Sequence, residues 1–537
     1  MGRLADLETR AKGFLGTSET PLKGWWVWFA AITLAGTVMR FWNLGGAPIW
    51  MDEAVTLGFA QLDLGTIIWG NIDNHPNLTW VIQWIWQQID PNPAHARVPA
   101  ALFGSLSVAA ILLAARDVAS ARTAIFTGLL FAFATGHIYY SQDARMYPYL
   151  VFGLILAAWG GIGHVRPNLY TARTYAALYV VGGAIAIYSH AMGLIVMGLI
   201  GFASLAAGWL SENRMQFLRD WLIRNVILFV ITLPWLIVLP GASSTFPGLT
   251  GDNSVVDIQW FYRNITGFPG LGKPAILFEA LFYGLAGISI PIAWLSGRRG
   301  LALTLLGLIV AFPVVIAILH LRQPLLANKI LLPGVIGVTL GAGYALSRLK
   351  PKWAMTALGS ILVLAAFGSA ATELRYHIKS EDYHGAYVYA AEHGFADAPA
   401  LTCVHFHAAA AWENRREGRV LYYRRGDVID YKGPGYWRAA ENTMTWLRAA
   451  EASEINEALG GGWLIEGGLP AALSEDTQVL FIRPSCPAGK EAEITAALEG
   501  LGFHQAGETL IEGKAAGGHV VLEEPLTRIT LFEREAE

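Results

Sequence analysis

Apolar stretches recur along this chain at roughly 25–42, 98–115, 123–140, 148–165, 174–189, 191–210, 225–240, 274–295, 301–319, 330–346 and 353–371. About 20 helical residues cross a hydrocarbon core, and shorter runs cross when flanking side chains snorkel. The pattern therefore predicts a mainly α polytopic membrane protein with about eleven transmembrane helices. One long segment, about 43–97, breaks the rhythm. Its two apolar, aromatic patches (54–69 and 77–89) are too interrupted by polar residues to span, and are expected to lie flat at a membrane surface. After about Thr372 the long runs stop and charges become frequent. Strand-like stretches then appear near 400–406, 420–424, 462–466, 478–482, 520–523 and 529–533, with a helical pattern at 491–501 ending on Gly502. The expected division is a transmembrane domain at 1–372 and a small soluble α/β or α+β domain at 373–537.

Charge orients this arrangement. One set of connections carries Arg3, Arg10, Lys12, Lys23, Arg116, Arg122, Arg166, Arg173, Arg214, Arg219, Arg224, Arg298, Arg299, Arg348, Lys350 and Lys352. The other holds only Arg97, Arg145, Arg263, Lys273, Arg322 and Lys329. Sixteen against six places the first set in the cytoplasm. The expectation is a multi-pass plasma (inner) membrane protein, with its N-terminus cytoplasmic and its C-terminal domain extracytoplasmic, or periplasmic. The start reads as a short cytoplasmic helix rather than a cleavable signal, because Asp6 and Glu8 interrupt it. Only 15% of residues are charged, against about 25% in an average soluble domain, which supports the membrane class. A net charge of -3 without a basic stripe excludes a nucleic-acid partner. The two cysteines, Cys403 and Cys486, fall in the outer domain, where a disulfide and two buried thiols are both open readings.

Four loops on the outer side carry chemistry. The first contains Pro48-Ile49-Trp50-Met51-Asp52-Glu53 and later Asp73-Asn74-His75-Pro76. A carboxylate at the membrane boundary is partly desolvated, which raises its basicity, so Asp52 and Glu53 are candidates for general-base work. The plainer reading is a solvated helix start. The second loop, Tyr139 to Tyr147, crowds Asp143 and Arg145 into a tight turn; they either pair with each other or set a carboxylate and a cation beside Asp52. His190 follows Tyr188-Ser189 where two runs meet, as a cap or as a functional group. Arg322 and Lys329 end two further runs. Cations there either snorkel to headgroups or, gathered opposite carboxylates, hold a phosphate.

Taken in order, Asp52-Glu53, His75-Pro76, Arg97-Val98-Pro99-Ala100 and Tyr140-Ser141-Gln142-Asp143-Ala144-Arg145-Met146-Tyr147 resemble the polyprenyl-phosphate-sugar-dependent membrane glycosyltransferases. These are GT-C fold enzymes of the protein O-mannosyltransferase and aminoarabinose transferase type. The resemblance covers about residues 20–350. It implies Asp52 as catalytic base, with Glu53 and Asp143 in the catalytic set. Arg145, His190, Arg322 and Lys329 would bind the donor phosphate, and His75, Arg97 and Tyr147 would line the substrate cavity. The chain departs from the family pattern in three places: Asn77 follows His75-Pro76 where a second proline is usual, Ala134-Thr135-Gly136-His137 lacks a common proline, and Asn328-Lys329 stands where Arg-Tyr is common. Lysine neutralises phosphate as a point charge rather than as a bidentate fork.

The function so implied is inverting transfer of a hexosyl or pentosyl group from a polyprenyl-phosphate donor to an extracytoplasmic glycan, lipid or protein. Phosphate needs no protonating acid on departure, so one base with several cations suffices. No cofactor is firmly expected; a divalent metal stays open through Asp52, Asp143 and His75, whose spacing matches no dedicated cage. The competing reading is a polyprenyl-linked lipid transporter or flippase, against which stand charges gathered at span ends instead of the midplane. A non-catalytic scaffold for the outer domain is the third.

Overall fold

The computed structural model describes residues 23–60, 62–69, 75–89, 93–211, 213–243, 262–322, 328–375, 382–402, 420–422, 470, 473–483, 490–511 and 527–535. Each apolar run forms a helix. The first is α1 (Trp25–Phe41). Three short helices follow in the long first loop: α2 (Met51–Phe59), α3 (Leu64–Trp69) and α4 (Leu78–Gln87). The bundle continues with α5 (Pro93–Val118), α6 (Ala121–Ala132), α7 (Thr135–Ser141), α8 (Tyr147–Val165), α9 (Ala172–Ser189), α10 (Met192–Trp209) and α11 (Arg214–Ser243). It closes with α12 (Ala275–Leu295), α13 (Arg299–Leu306), a π-turn at Gly307–Ala311, α14 (Phe312–Arg322), α15 (Gly334–Arg348) and α16 (Lys352–Arg375).

Among the described residues, seven helical rods are long and apolar enough to cross a membrane: α5, α8, α10, α11, α12, α13 with α14, and α16. The α6–α7 pair, bent by 60°, makes an eighth. The other three expected spans are helices too, but α1 has 17 residues and α15 has 15, while α9 is diluted by Tyr, Thr and Gly. The helix α15 is short because it is interior, with residues 334–346 all buried. Close approach of α8 and α9 depends on paired glycines: a Cβ on Gly153 would lie 2.6 Å from the Gly182 carbonyl oxygen, and one on Gly182 would lie 2.5 Å from that of Gly153.

The bend between α6 and α7 leaves the Ala132 carbonyl without a helical partner, which is costly in a buried setting. Arg40, at the end of α1 and fully buried, supplies the donor. Its Nη1 donates to the Ala132 carbonyl (3.1 Å) and to Gly36 (2.8 Å), and its Nη2 to Phe131 (3.3 Å). Nη2 also lies 2.8 Å from His137 Nδ1 on α7. Gln142 ties the other end of the seam, donating to the Met39 and Trp42 carbonyls at 3.2 and 2.8 Å. The second loop is thus fixed to α1. At the opposite end of the bundle, Asp117 accepts from Trp159 Nε1 and the Tyr175 hydroxyl, both at 2.7 Å, a structural staple far from the loops of interest.

Beyond α17 (Tyr383–Glu392) the chain forms one five-stranded mixed sheet. Its strands are β1 (Ala400–Thr402), β2 (Val420–Tyr422), β3 (Gln478–Arg483), β4 (His504–Ile511) and β5 (Thr527–Glu533), in the order β2-β1-β3-β5-β4. The strand β1 runs parallel to β2 and β3, whereas β5 is antiparallel to β3 and β4. Strand alternation gives the sheet two apolar faces. Leu401, Val479, Phe481 and Phe532 pack on α18 (Lys490–Gly500) through Ile494 and Leu498. Ala400, Leu480, Ile482, Ile529 and Leu531 face the other way, onto α17 and onto Ile49, Ala54, Leu57, Phe59 and Trp80 of the first loop. One apolar cluster therefore joins the sheet to the loop that carries Asp52. The strand β4 was not expected from the sequence: as an exposed edge with a bulge at Gln505–Gly507, it lacks an apolar signature. The stretches expected at 462–466 and 520–523, Cys403 and Cys486 lie outside the described residues.

Candidate active site

The helix α2 begins at Trp50 with extended backbone and puts two carboxylates in its first turn, where the helix dipole favours ionised acids. Successive helical residues point about 100° apart, so the two acids diverge. Glu53 is fully buried and accepts from Arg97 Nε at 2.7 Å and Nη2 at 2.6 Å, with a third bond to Glu53 from the Ala144 amide at 2.9 Å. The remaining Arg97 donors reach the carbonyls of Leu44 (3.0 Å), Ala47 (2.8 Å) and Pro48 (2.9 Å). This pair bolts the first loop to α5 and touches the second loop. Its geometry is that of an architectural joint rather than of a cavity wall.

Asp52 turns the other way. Its Oδ2 accepts from Lys329 Nζ at 2.5 Å and stands 3.7 Å from Arg145 Nη2. Lys329 sits on a 3₁₀ turn, Asn328–Leu331, 277 residues further along the chain. Arg145 is anchored besides, with Nη1 donating to Thr56 Oγ1 at 2.7 Å and to the Asp52 carbonyl at 3.1 Å. Of the two arrangements left open by the sequence for Arg145, the contact with Asp52 is present. Asp143, fully buried, accepts from Trp50 Nε1 at 3.0 Å.

Aromatic groups wall the site. Lys329 Nζ lies 5.7 Å from the Trp50 ring centroid and 5.9 Å from that of Tyr147, the first residue of α8. The Tyr147 ring is 5.9 Å from that of His190, which meets His75 edge-on at 5.0 Å. His190 Nδ1 accepts from the Met192 amide at 3.0 Å, which leaves any ring proton on Nε2. Burial, followed by the charges of His75, Lys329 and Arg145, pushes the His190 pKa well below the usual histidine value. Burial thus favours the neutral imidazole, with its ring proton on Nε2 available for donation.

The electrostatics of Asp52 reverse an expectation. Burial pushes its carboxyl up, but the Lys329 ammonium and then the Arg145 guanidinium outweigh burial and hold it at about 2. Burial disfavours the Lys329 charge, yet Asp52 opposite outweighs this and raises the ammonium above the usual lysine range. The sequence reading weighed desolvation alone and so predicted enhanced basicity; the partner that overturns it arrives from far along the chain.

The fold thus gathers Asp52, Arg145, Lys329, Tyr147, His190 and His75 with Asp143 behind Trp50, and sets Glu53 and Arg97 apart. Arg322 is the last residue of α14. Trp50 and Thr56 are site residues the sequence reading missed, although Trp50 stands only two positions before Asp52. Among the described residues no three His, Cys, Asp or Glu side chains form a metal-ligand set. The convergence of Asp52, Asp143 and His75 left open above is not formed: Asp52 faces Lys329, and Asp143 faces Trp50.

An apolar helical bundle with a charged cluster in its loops, and a mixed sheet packed on the first of those loops, defines the class: an integral membrane protein with the GT-C fold. The fold is similar to that of ArnT from Cupriavidus metallidurans in its apo state, at TM-score 0.60 and 12% identity over 95% of this chain and 98% of that one. The same protein bound to undecaprenyl phosphate matches at TM-score 0.58, again with 12% identity over 95% and 98% of the two chains. The apo oligosaccharyltransferase of Archaeoglobus fulgidus matches at TM-score 0.50 and 13% identity, covering 85% of this chain and 70% of that one. No protein-family model and no curated protein sequence matches the chain.

Proposed function

We propose that this protein is an inverting glycosyltransferase that moves a hexosyl or pentosyl group from a polyprenyl-phosphate donor to an extracytoplasmic acceptor, an envelope glycan, lipid or protein. The observation that carries this reading is the convergence of one buried carboxylate, Asp52, with two cations, Lys329 and Arg145, in the loops at one end of an apolar helical bundle. The ArnT fold likeness supports the same class, since that protein binds undecaprenyl phosphate. In this reading all eleven apolar helices cross the membrane. The N-terminus is cytoplasmic, 1–372 is the transmembrane catalytic domain, and 373–537 is an extracytoplasmic domain. The cluster joining the sheet to the first loop supports that last placement, because both must share one side.

Asp52 takes the proton from the acceptor hydroxyl as its oxygen bonds to the anomeric carbon. The bond from that carbon to phosphate oxygen breaks, and polyprenyl phosphate departs from the opposite face with the electron pair. Lys329 and Arg145 stabilise the charge that develops on it, joined by Arg322 and by the neutral His190 Nε2–H as a donor. Tyr147 and His75 line the cavity. Asp143 orients Trp50 against the donor site, and Glu53 with Arg97 positions the base rather than sharing its chemistry.

The test is reconstitution of the purified protein in liposomes with a polyprenyl-phosphate sugar, beside mass spectrometry of envelope glycolipids and glycoproteins from cells with and without it. Appearance of a transferred sugar that requires Asp52 supports the reading. Lipid translocation without any new glycosidic bond overturns it.

A further inference from the structure

A carboxylate that shares its oxygen with an ammonium is a poor base, and Asp52 Oδ2 carries the Lys329 contact at 2.5 Å. Side-chain exposure falls from 25% at Lys329 to 11% at Asp52 and 2% at Arg145, so the lysine is the most open of the three side chains. The two cations are held differently. Arg145 is anchored by Thr56 and by the Asp52 backbone, whereas Lys329 meets Asp52 and two aromatic faces, Trp50 and Tyr147. Its one directional bond among the described residues is therefore the ion pair. Lys329 can change partner without breaking a tie to the backbone; Arg145 cannot.

We propose that Lys329 masks Asp52 in the donor-free protein and passes its ammonium to the donor phosphate when that group arrives, so that donor binding itself uncovers the base. The inference rests on the donor reading above and adds an order to it: the base stays idle until a leaving group is in place, and the acceptor is activated second. After the exchange Asp52 still faces Arg145 and His75, while Asp143 stays on Trp50 and Glu53 stays on Arg97. Asp52 remains charged but loses its closest cation, which increases its affinity for a proton.

The experiment is a double-mutant cycle on the full chain in detergent, with undecaprenyl phosphate lacking any sugar as the probe and affinity as the readout. Asp52→Asn is expected to tighten binding about tenfold, because the competing carboxylate no longer holds the ammonium. Lys329→Met is expected to weaken it about tenfold or more. In the Lys329→Met background, Asp52→Asn is expected to change affinity by less than about twofold. Asp52→Ser and Lys329→Gln repeat the cycle with different replacements, and melting temperatures verify that every variant is folded. Equal tightening in both backgrounds would mean simple charge repulsion and would overturn the exchange. Unchanged or weaker binding by Asp52→Asn would mean that Asp52 only steadies the lysine, and overturns it as well. Both outcomes leave the donor reading standing, whereas a wild-type protein that binds no polyprenyl phosphate removes donor reading and exchange together.

Discussion

Glu53 and Arg97 meet across 44 residues of sequence in a two-pronged ion pair with no exposed side-chain surface on either partner. The neighbouring acid, Asp52, has a single lysine contact and a partly open side chain. Buried pairs tolerate the loss of one partner poorly, because the survivor stays charged and dry. Glu53→Ala or Arg97→Ala is expected to cost about 3–5 kcal/mol of stability. Arg97→Lys is also expected to be damaging, since an ammonium does not reproduce the fork and its three carbonyl contacts. Thermal unfolding in detergent checks both; a melting temperature unchanged in all three variants refutes the joint.

Asp52→Asn is expected to lower transfer by about 10²–10⁴-fold, the usual worth of a positioned base. The fold should survive, because Arg145 keeps Thr56 and the Asp52 carbonyl and Lys329 is open enough to find water. Single-turnover rates with saturating donor, beside a melting curve, separate the two effects. Near-wild-type turnover would remove Asp52 from the chemistry.

The depressed Asp52 carboxyl gives stability a definite pH dependence. A carboxyl at about 2 when folded and near 3.9 when unfolded contributes fully above the unfolded value, and the contribution is lost as pH falls towards 2. Melting temperature should therefore hold between pH 8 and about 5 as far as this group is concerned, then drop below about 4. The difference between wild type and Asp52→Asn should shrink over that same acidic interval. A difference that instead grows on acidification would reverse the sign and contradict the ion pair.

Arg40 closes the broken α6–α7 span, and its removal strands the Ala132 carbonyl and takes a second donor from that of Phe131, which keeps the Ala134 amide. Each stranded buried group costs about 1–3 kcal/mol. Arg40→Met should accordingly destabilise the bundle and loosen the loop bearing Asp143 and Arg145, with Arg40→Lys retaining part of the loss. Hydrogen exchange of residues 133–146 reads this directly; protection equal to wild type in Arg40→Met would show that the guanidinium is dispensable.

Much of the molecule was legible before any coordinates. Apolar runs marked every bundle helix, because a membrane leaves backbone groups no alternative to helical pairing. The loops holding Asp52, Arg145 and Lys329 were identifiable by their polar residues at span ends. Three features were not. The divergence of Asp52 and Glu53 depends on which side of α2 meets Arg97, a tertiary fact. The sign of the Asp52 shift was set by Lys329, and no local pattern links positions 277 apart. The 60° bend was hidden because Ala134-Thr135-Gly136 contains no helix breaker as strong as proline; a hint lay in Gly136, where a Cβ would sit 2.4 Å from the Ile265 carbonyl oxygen.

The apolar cluster shared by α17, the sheet and the first loop has a practical corollary. Leu57, Phe59 and Trp80 would meet water if the sheet were cut away, so severing the chain near residue 380 would not yield two well-behaved halves. Ile482 and Leu531 of the sheet belong to the same buried cluster as Ala54 and Leu57, so the sheet and the helix bearing Asp52 share one dry interior.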